Sequence, residues 1–350
     1  MKILITHELF PPDIAGGGEK LTLKLAKLLQ EKSHEVKVVT SGDPNIKEYE
    51  EIRTIRVPIN RYLMNFSLPT ILKEARDFDI IQTSSGNMVF PSWLAAKTLK
   101  KPISCHIHHI LGSYWKDVRG PIIGSFFEFM ERHILTKSFD SIIFQNFNSK
   151  EIGLGMGIDE DLTHMIQPGL DWSRFQMKGI QKKPFVLFVG NFDMNKQTIA
   201  VKGLRYLLEA AENLDDVNFV IVGGGKDLDK IKPNYPERIK FTGPLFGEDL
   251  VKLYNEALIF CYPSLTEGFG ISLLESMASG CATVSTIDIG QEGPKIEPKN
   301  SEQIKRSIEN LLKDRKKAKK IGKKNRKLAK EFTWETFIKN YIEIYKSIQK

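Results

Sequence analysis

At 350 residues the chain is too long for one ordinary hydrophobic core, so two domains are expected, and a composition 41% hydrophobic and 27% charged excludes a disordered or fibrous protein. The net charge of +8 suits anionic ligands or an acidic membrane surface; without an aromatic-basic RNA signature, zinc spacing or recognition-helix pattern, nucleic acid is excluded as a partner. No apolar run is long enough to span a bilayer, the opening Met1-Lys-Ile-Leu-Ile-Thr-His-Glu8 is too short for a signal peptide, and Cys105, Cys261 and Cys281 each stand alone in a strand-like segment, so buried reduced thiols and a cytoplasmic protein are expected.

Residues 2–6 read as a first strand and 19–32 as an amphipathic helix with Leu21, Leu25, Leu28 and Leu29 on one face. Between them lies Pro11-Pro-Asp-Ile-Ala-Gly-Gly-Gly18, beyond the carboxyl end of a strand and at a helix start. α/β sheets bind ligands at that position, which favours a ligand loop over a plain connector. Strands follow at 35–40, 52–58 and 79–84, and a helix at 91–100. Asp77 and Asp79 spell Asp-x-Asp but precede a strand rather than end one, so they read as solvated turn acids. The strand 101–109 ends in His106, His108 and His109, the first two sharing a face. With no matching cluster of acidic or cysteine ligands nearby, and two histidines on a strand not diagnostic of zinc, no metal is assigned to them. A hydrogen-bonding or proton-handling histidine in a cleft and a satisfied half-buried histidine both fit.

The stretch 110–147 is dense in aromatic residues: Tyr114, Trp115, Phe126, Phe127, Phe129, Phe139, Phe144 and Phe147, with Lys116, Arg119, Arg132 and Lys137 among them. Most of it is expected to be core, on a helix at 125–135 and a strand at 141–145. An acceptor groove or a membrane contact is the alternative.

A linker is visible between 168–173 and 182–184. Beyond it strands at 185–189, 218–222, 240–242 and 257–262 alternate with helices at 203–213 and 248–256, which predicts a second doubly wound parallel sheet. Neither glycine run has the Gly-x-Gly-x-x-Gly spacing, so a dinucleotide dehydrogenase is disfavoured. Lys202 stands at a helix start, against the dipole's preference for acids, which fits either a bound anion or a solvated lysine. The run Cys261 to Gly280 is strand, glycine turn and helix 271–279. Its helix start offers unpaired N–H groups, and Glu267 and Glu275 flank it, an arrangement suited to the phosphate and hydroxyls of a nucleotide-sugar. Two surface acids at a helix start are the plainer alternative. The helix 312–330 is lysine-rich and reads as a solvated outer face, with an anionic membrane as the other option. Thr333-Trp-Glu-Thr336 opens a last amphipathic helix running to 347.

Together these landmarks resemble the retaining glycosyltransferases of family 4. Gly16-Gly-Gly-Glu-Lys20, the strand ending at His108, Gln167-Pro-Gly-Leu-Asp171, Lys202-Gly203, Glu267-Gly-Phe-Gly-Ile to Glu275, and Phe332-Thr-Trp334 carry the likeness, and the Glu-x7-Glu spacing is its most specific part. The resemblance implies an α/β protein of GT-B fold, two facing Rossmann-like doubly wound parallel-sheet domains at 1–172 (acceptor) and 180–332 (donor), with a terminal helix at 333–350 crossing back to the first. It implies glycosyl transfer from a nucleoside-diphosphate sugar, with no metal or other cofactor; the basic charge and aromatic content suggest a glycan or lipid-linked acceptor at the inner membrane face, with an anionic membrane surface as a further partner.

His108, Glu267 and Lys202 are the implied catalytic residues. Gly16 and Gly17 would approach the donor diphosphate, and Lys202 would neutralise it with the backbone N–H groups of Phe269, Gly270 and Ile271 beyond Gly268. His108 would face the donor sugar, Glu267 would hold its hydroxyls and Glu275 those of the ribose. The family usually has Gly-Arg where this chain has Gly190-Asn191, so Asn191 and Lys196 are the donor-binding candidates there. The stretch 285–294 is also shorter than usual, and a non-catalytic GT-B protein that binds nucleotide-sugar or glycan as a partner is the rival reading.

Overall fold

The computed structural model describes residues 1–13, 16–177, 179–190, 201–224 and 235–349. The first half runs β1 (Lys2–Thr6), α1 (Gly17–Glu31), β2 (Glu35–Ser41), β3 (Glu48–Tyr49), β4 (Ile52–Val57), α2 (Leu68–Ala75), β5 (Ile80–Ser84), α3 (Val89–Leu99) and β6 (Ile103–His106). It continues through α4 (Trp115–Arg119), α5 (Pro121–Leu135), β7 (Ser141–Phe144), α6 (Phe147–Met156) and β8 (Thr163–Met165). These strands form one sheet in the order β3-β4-β2-β1-β5-β6-β7-β8, parallel except for the β3–β4 pair. The order reverses between β1 and β5, which leaves a crevice beyond their carboxyl ends.

The second half runs β9 (Lys183–Val189), α7 (Leu204–Glu212), β10 (Asn218–Val222), β11 (Ile239–Gly243), α8 (Gly247–Glu256) and β12 (Ala257–Tyr262). Then come α9 (Ile271–Ala278), β13 (Ala282–Ser285), α10 (Ser301–Lys313), α11 (Arg315–Leu328) and the closing helix α12 (Trp334–Ile348). Its sheet is parallel throughout in the order β11-β10-β9-β12-β13, with its own reversal between β9 and β12.

β5, β6, β7, β12 and β13 are buried at every residue, as strands covered on both faces must be. Alternation then sorts side chains between the two covers. Ile3 and Ile5 join Leu25 and Leu29 of α1, and Leu4 joins Ile71 of α2 and Ala95 of α3. In the second sheet Val186 and Phe188 meet Leu207 of α7 and Ile304 of α10, while Leu187 meets Tyr254 of α8 and Leu273 of α9. The three cysteines are free and buried within these layers.

Two expected elements differ. The helix expected at 312–330 is two helices, because Asp314 leaves helical geometry and its carboxylate caps Lys317 N at 2.9 Å, starting α11 afresh. The aromatic stretch is not mainly core. Phe139 and Phe144 are buried, but Phe126 and Phe129 are 60% and 62% exposed, and Ile122 is 85% exposed. The cause is how α5 is seated. It begins at Pro121, four residues earlier than expected, and rests on α4 through Gly124, where a Cβ would collide with the Lys116 backbone. Only Gly124 and Leu135 of α5 are buried, so its apolar face points outward.

The closing helix lies against the first sheet. Thr333 Oγ1 caps Thr336 N at 3.1 Å, and Phe337, Ile338, Tyr341, Ile344 and Tyr345 are buried with Ile3, Ile5 and Leu25. Each such side chain contributes roughly 1.5–3 kcal/mol by leaving water. Tyr345 Oη donates to Gln82 Oε1 at 2.8 Å, so even its polar end is satisfied. Where the chain first crosses between the sheets, Leu170 N donates to Phe332 O at 3.0 Å, and a Cβ on Gly169 would collide with the Trp334 backbone. Gly169→Ala is therefore expected to cost about 1–3 kcal/mol of stability, read as a lower midpoint in chemical unfolding.

Candidate active site between the two sheets

The loop after β12 is shaped by its backbone. Gly270 adopts a left-handed conformation (φ +99°) and turns the chain into α9. Opposite, Gly203 is also left-handed (φ +68°), and a Cβ there would strike the Pro263 carbonyl. Leu265 N donates to Val201 O at 2.7 Å, so the Lys202 turn lies directly on the 263–266 loop. That contact settles how Lys202 tolerates a helix start. Its Nζ donates to Glu267 Oε1 at 2.6 Å, and Ser264 Oγ donates to the same oxygen at 2.8 Å. Burial pushes the Glu267 carboxyl upward, but Lys202, Ser264 and Tyr262 outweigh it and hold the group below the usual carboxylate range.

Glu275 lies one turn into α9 and, among the described residues, has no cation bonded to it. Its Oε2 accepts from Tyr254 Oη at 2.9 Å. Burial pushes its pKa up to about 7, only partly opposed by Tyr254 and Arg174. The two acids of the Glu-x7-Glu motif thus differ sharply: Glu267 is held ionised, while Glu275 titrates near neutrality.

The first sheet supplies the other wall. Gly16 N donates to the Glu19 carboxylate at 2.9 Å at the start of α1. A Cβ on Gly17 would lie 3.9 Å from Ile271 Cδ1, and one on Gly18 would lie 3.5 Å from the His108 ring. β6 ends at His106, earlier than expected, so His108 and His109 lie on the loop beyond it. The His106 and His108 rings are 4.1 Å apart between centroids, and His7 meets His108 at 5.1 Å. Burial, then the neighbouring imidazoles, push His108 well below its ordinary value, so it is neutral. His106, pushed down to about 3 by burial and His7, is held between Tyr341 Oη at 2.8 Å and Gln145 Nε2 at 2.6 Å.

The walls touch through main chain. A Cβ on Gly268 would collide with the His108 carbonyl oxygen, and Thr266 Oγ1 donates to Ile110 O at 2.7 Å. Asn146 Nδ2 donates to the carbonyls of Glu267 at 2.8 Å and Gly268 at 2.6 Å, and Ser149 Oγ donates to Glu267 O at 2.9 Å. Beside these bonds, Asn148 and the backbone of Phe147 engage Asp288, so the short 285–294 stretch belongs to this seam.

Gly17, His108, Lys202, Glu267, Gly268, Gly270 and Ile271 therefore converge, with Gly16 beside Gly17 and Glu275 one turn deeper. Phe269 is buried against Phe332, so only its backbone faces the site. Asn191 and Lys196 lie outside the described residues. Sequence reasoning missed Asn146, Ser264, Tyr254 and His7. Only Asn146 carried a local signal, as an N-cap residue directly after a strand. Among the described residues, no group of three His, Cys, Asp or Glu side chains is arranged to hold a metal ion.

Residues 15–174 match the family model Glycosyltransferase Family 4, and residues 183–314 match Glycosyl transferases group 1. The chain belongs to the group 1, family 4 glycosyltransferases. Among its relatives is the N,N'-diacetylbacillosaminyl-diphospho-undecaprenol alpha-1,3-N-acetylgalactosaminyltransferase of Campylobacter jejuni, 24% identical over 94% of this chain and 95% of that one. The phosphatidyl-myo-inositol mannosyltransferase of Mycolicibacterium smegmatis is 25% identical over 78% of this chain and 73% of its own. The solved sucrose-phosphate synthase of Thermosynechococcus elongatus superposes with a TM-score of 0.79 at 21% identity, covering 99% of this chain and 98% of that one, and the fold is GT-B. A glycosyltransferase of this family acts on a nucleotide-sugar donor.

The Glu275 environment sets a pH dependence. In the unfolded chain a glutamate titrates at about 4.3, below its folded value, so the folded state binds the proton more tightly. Stability from this group is present at low pH and is lost as pH rises from there through about 7, a change on the order of 3 kcal/mol. Glu275→Gln, which carries no charge, is expected to melt above the wild type at pH 8, with the difference closing toward pH 5 in thermal unfolding.

Proposed function

We propose that this glycosyltransferase transfers its sugar with retention of anomeric configuration from a nucleoside-diphosphate sugar to a glycan or lipid-linked acceptor at the inner face of an anionic membrane. The observation that carries the donor reading is the partly buried Lys202–Glu267 pair beside the start of α9. A lysine has three N–H donors; one is engaged by Glu267, leaving others for diphosphate oxygens. The N–H groups of 269–271, without a partner among the described residues, and the glycines of α1 add donors without cost in side-chain entropy. As the glycosidic bond breaks, charge accumulates on the departing diphosphate, where Lys202 and the positive end of α9 stabilise it. Glu267, ionised, accepts from sugar hydroxyls, Glu275 accepts from the ribose, and neutral His108 borders the sugar.

Retention by double displacement needs a carboxylate free to attack the anomeric carbon. Glu8, Glu19, Glu267 and Glu275 each already accept hydrogen bonds within the protein, which favours departure and attack on one face of the sugar. Lys202→Ala and Glu275→Ala are expected to weaken nucleotide affinity roughly tenfold or more while the chain stays folded. A thermal-shift panel of UDP-, GDP- and ADP-sugars reads this, and NMR of the product made from the donor that turns over reads its anomeric configuration. Inverted product would remove the retaining assignment. Binding without turnover of any donor would favour the non-catalytic partner protein.

The membrane part rests on α5. Ile122, Phe126 and Phe129 lie on one exposed face at i, i+4 and i+7, flanked by Lys116, Arg119, Arg132 and Lys137. Of the acids of this region, Glu128 pairs with Lys116 of the rim itself, Asp117 with Lys299, and Glu131 with the N–H groups of Leu111 and Gly112. An apolar face rimmed by cations fits an anionic lipid surface. Two relatives named for undecaprenol-linked and phosphatidylinositol substrates agree with such an acceptor. No described helix is long and apolar enough to cross a membrane, so contact would be peripheral. The chain should float with phosphatidylglycerol vesicles at low salt, and Ile122→Asp with Phe126→Asp should abolish flotation; equal flotation of the double variant would reject this face.

A further inference from the structure

Two short segments meet where the domains face each other, and their register can be read from two contacts. The His108 carbonyl lies against Gly268, and the Ile110 carbonyl accepts from Thr266 Oγ1 at 2.7 Å. Residue 108 therefore opposes 268 and residue 110 opposes 266, which sets His109 against Glu267. The segment is fixed on its first-domain side as well: Ser85 Oγ accepts from the backbone N–H of His108 at 3.0 Å and of His109 at 3.3 Å.

The other cleft histidines have visible partners. His7 Nδ1 is 2.6 Å from Leu9 O, His106 is held by Tyr341 and Gln145, and His108 Nε2 is 3.4 Å from Thr22 Oγ1. His109 differs. Its Nε2 is buried and has no hydrogen-bond partner among the described residues. Buried polar atoms are rarely left unpaired, and a ligand is one way the missing bond is completed. Burial pushes this imidazole below its ordinary value, with Glu267 pulling it up and Lys202 pulling it down, as expected of a ring beside that ion pair.

We propose that His109 Nε2 binds a hydroxyl of the transferred sugar, on the same ring that Glu267 holds. The inference rests on the donor reading above and adds a sugar-binding residue to it. A hydroxyl both donates and accepts, so it satisfies a neutral imidazole in either tautomer. A diphosphate only accepts, and Lys202 and the α9 N–H groups already provide for it. His109 would thus contribute to the recognition of the sugar and leave the nucleotide unaffected.

The test is calorimetric titration of the full chain, without acceptor, using UDP, GDP and ADP beside UDP-glucose, UDP-N-acetylglucosamine, GDP-mannose and ADP-glucose. For the nucleotide bound by the wild type, His109→Ala should leave nucleoside-diphosphate affinity within about twofold and weaken the corresponding nucleotide-sugar about tenfold. His109→Gln, which retains a donor and an acceptor, should recover part of the loss. Unchanged nucleotide-sugar affinity in His109→Ala overturns the inference alone, and would be the result if the hydroxyl belonged to the acceptor. Equal weakening of diphosphate and sugar conjugate also overturns it, pointing to a structural role. A wild-type chain that binds none of these probes removes the donor reading and this inference with it.

Discussion

Asn146 uses both ends of one carboxamide to join the two halves of the molecule. Its Oδ1 accepts from Ser149 N at 2.7 Å and starts α6; its Nδ2 donates to two successive carbonyls of the 267–268 loop. The geometry of the cleft depends on that bridge. A helix cap has a fixed position relative to its own sheet, so a loop from the opposite domain tied to that cap takes the first sheet as its frame. Glu267 is therefore oriented by the domain it does not belong to, and Ser149 and the Gly268–His108 contact reinforce the same placement. Glycine at 268 follows from domain contact: there is no volume for a side chain between that loop and the His108 carbonyl.

Electrostatics separate the two acids of one motif. Glu267 is buried with an ammonium and a hydroxyl on the same oxygen, so its charge is compensated where it stands. Glu275 is half-buried and, among the described residues, accepts from a single tyrosine hydroxyl, too little to hold the ionised form. Burial acts on both in the same direction, and the number of donors decides the outcome. A ligand that brings hydroxyl donors to Glu275 would supply what the folded chain lacks.

Much of the fold was legible because parallel strands covered on both faces read as continuous apolar runs, and residues 2–6 and 257–262 have the extents expected. Boundaries slipped where a local rule was passed over. Gly120-Pro121 is a helix start, whereas the helix is expected from 125, and Gly124 serves close packing on α4. The aromatic density of 110–147 signalled apolarity without signalling which way the helix faces, since exposure is decided by what α5 rests on. Within the cleft, Glu267, Lys202, His108 and the glycines stood out because each lies at a helix start or strand end. The bonds that hold them together did not, because they join residues far apart in the chain: Asn146 and Glu267 are separated by 121 positions, and no periodicity links them. The Lys202 partner was hidden for the same reason, as it needed the left-handed turn at Gly203 to press against Pro263.

The chain passes between its halves twice, and the two passages run side by side. Leu170 N on the outward passage donates to the Phe332 carbonyl of the return, Trp172 Nε1 donates to Arg326 O at 3.3 Å, and Lys330 lies 4.4 Å over the Trp172 ring. Two adjacent tethers bonded to each other restrict twisting and sliding of the halves more than a single tether would. The return passage is anchored by α12 beneath the first sheet, where Tyr341 is bonded to His106. Any parting of the halves to admit or release a ligand has to break the bonds of Asn146 and Thr266 across the seam while both passages stay tied to each other.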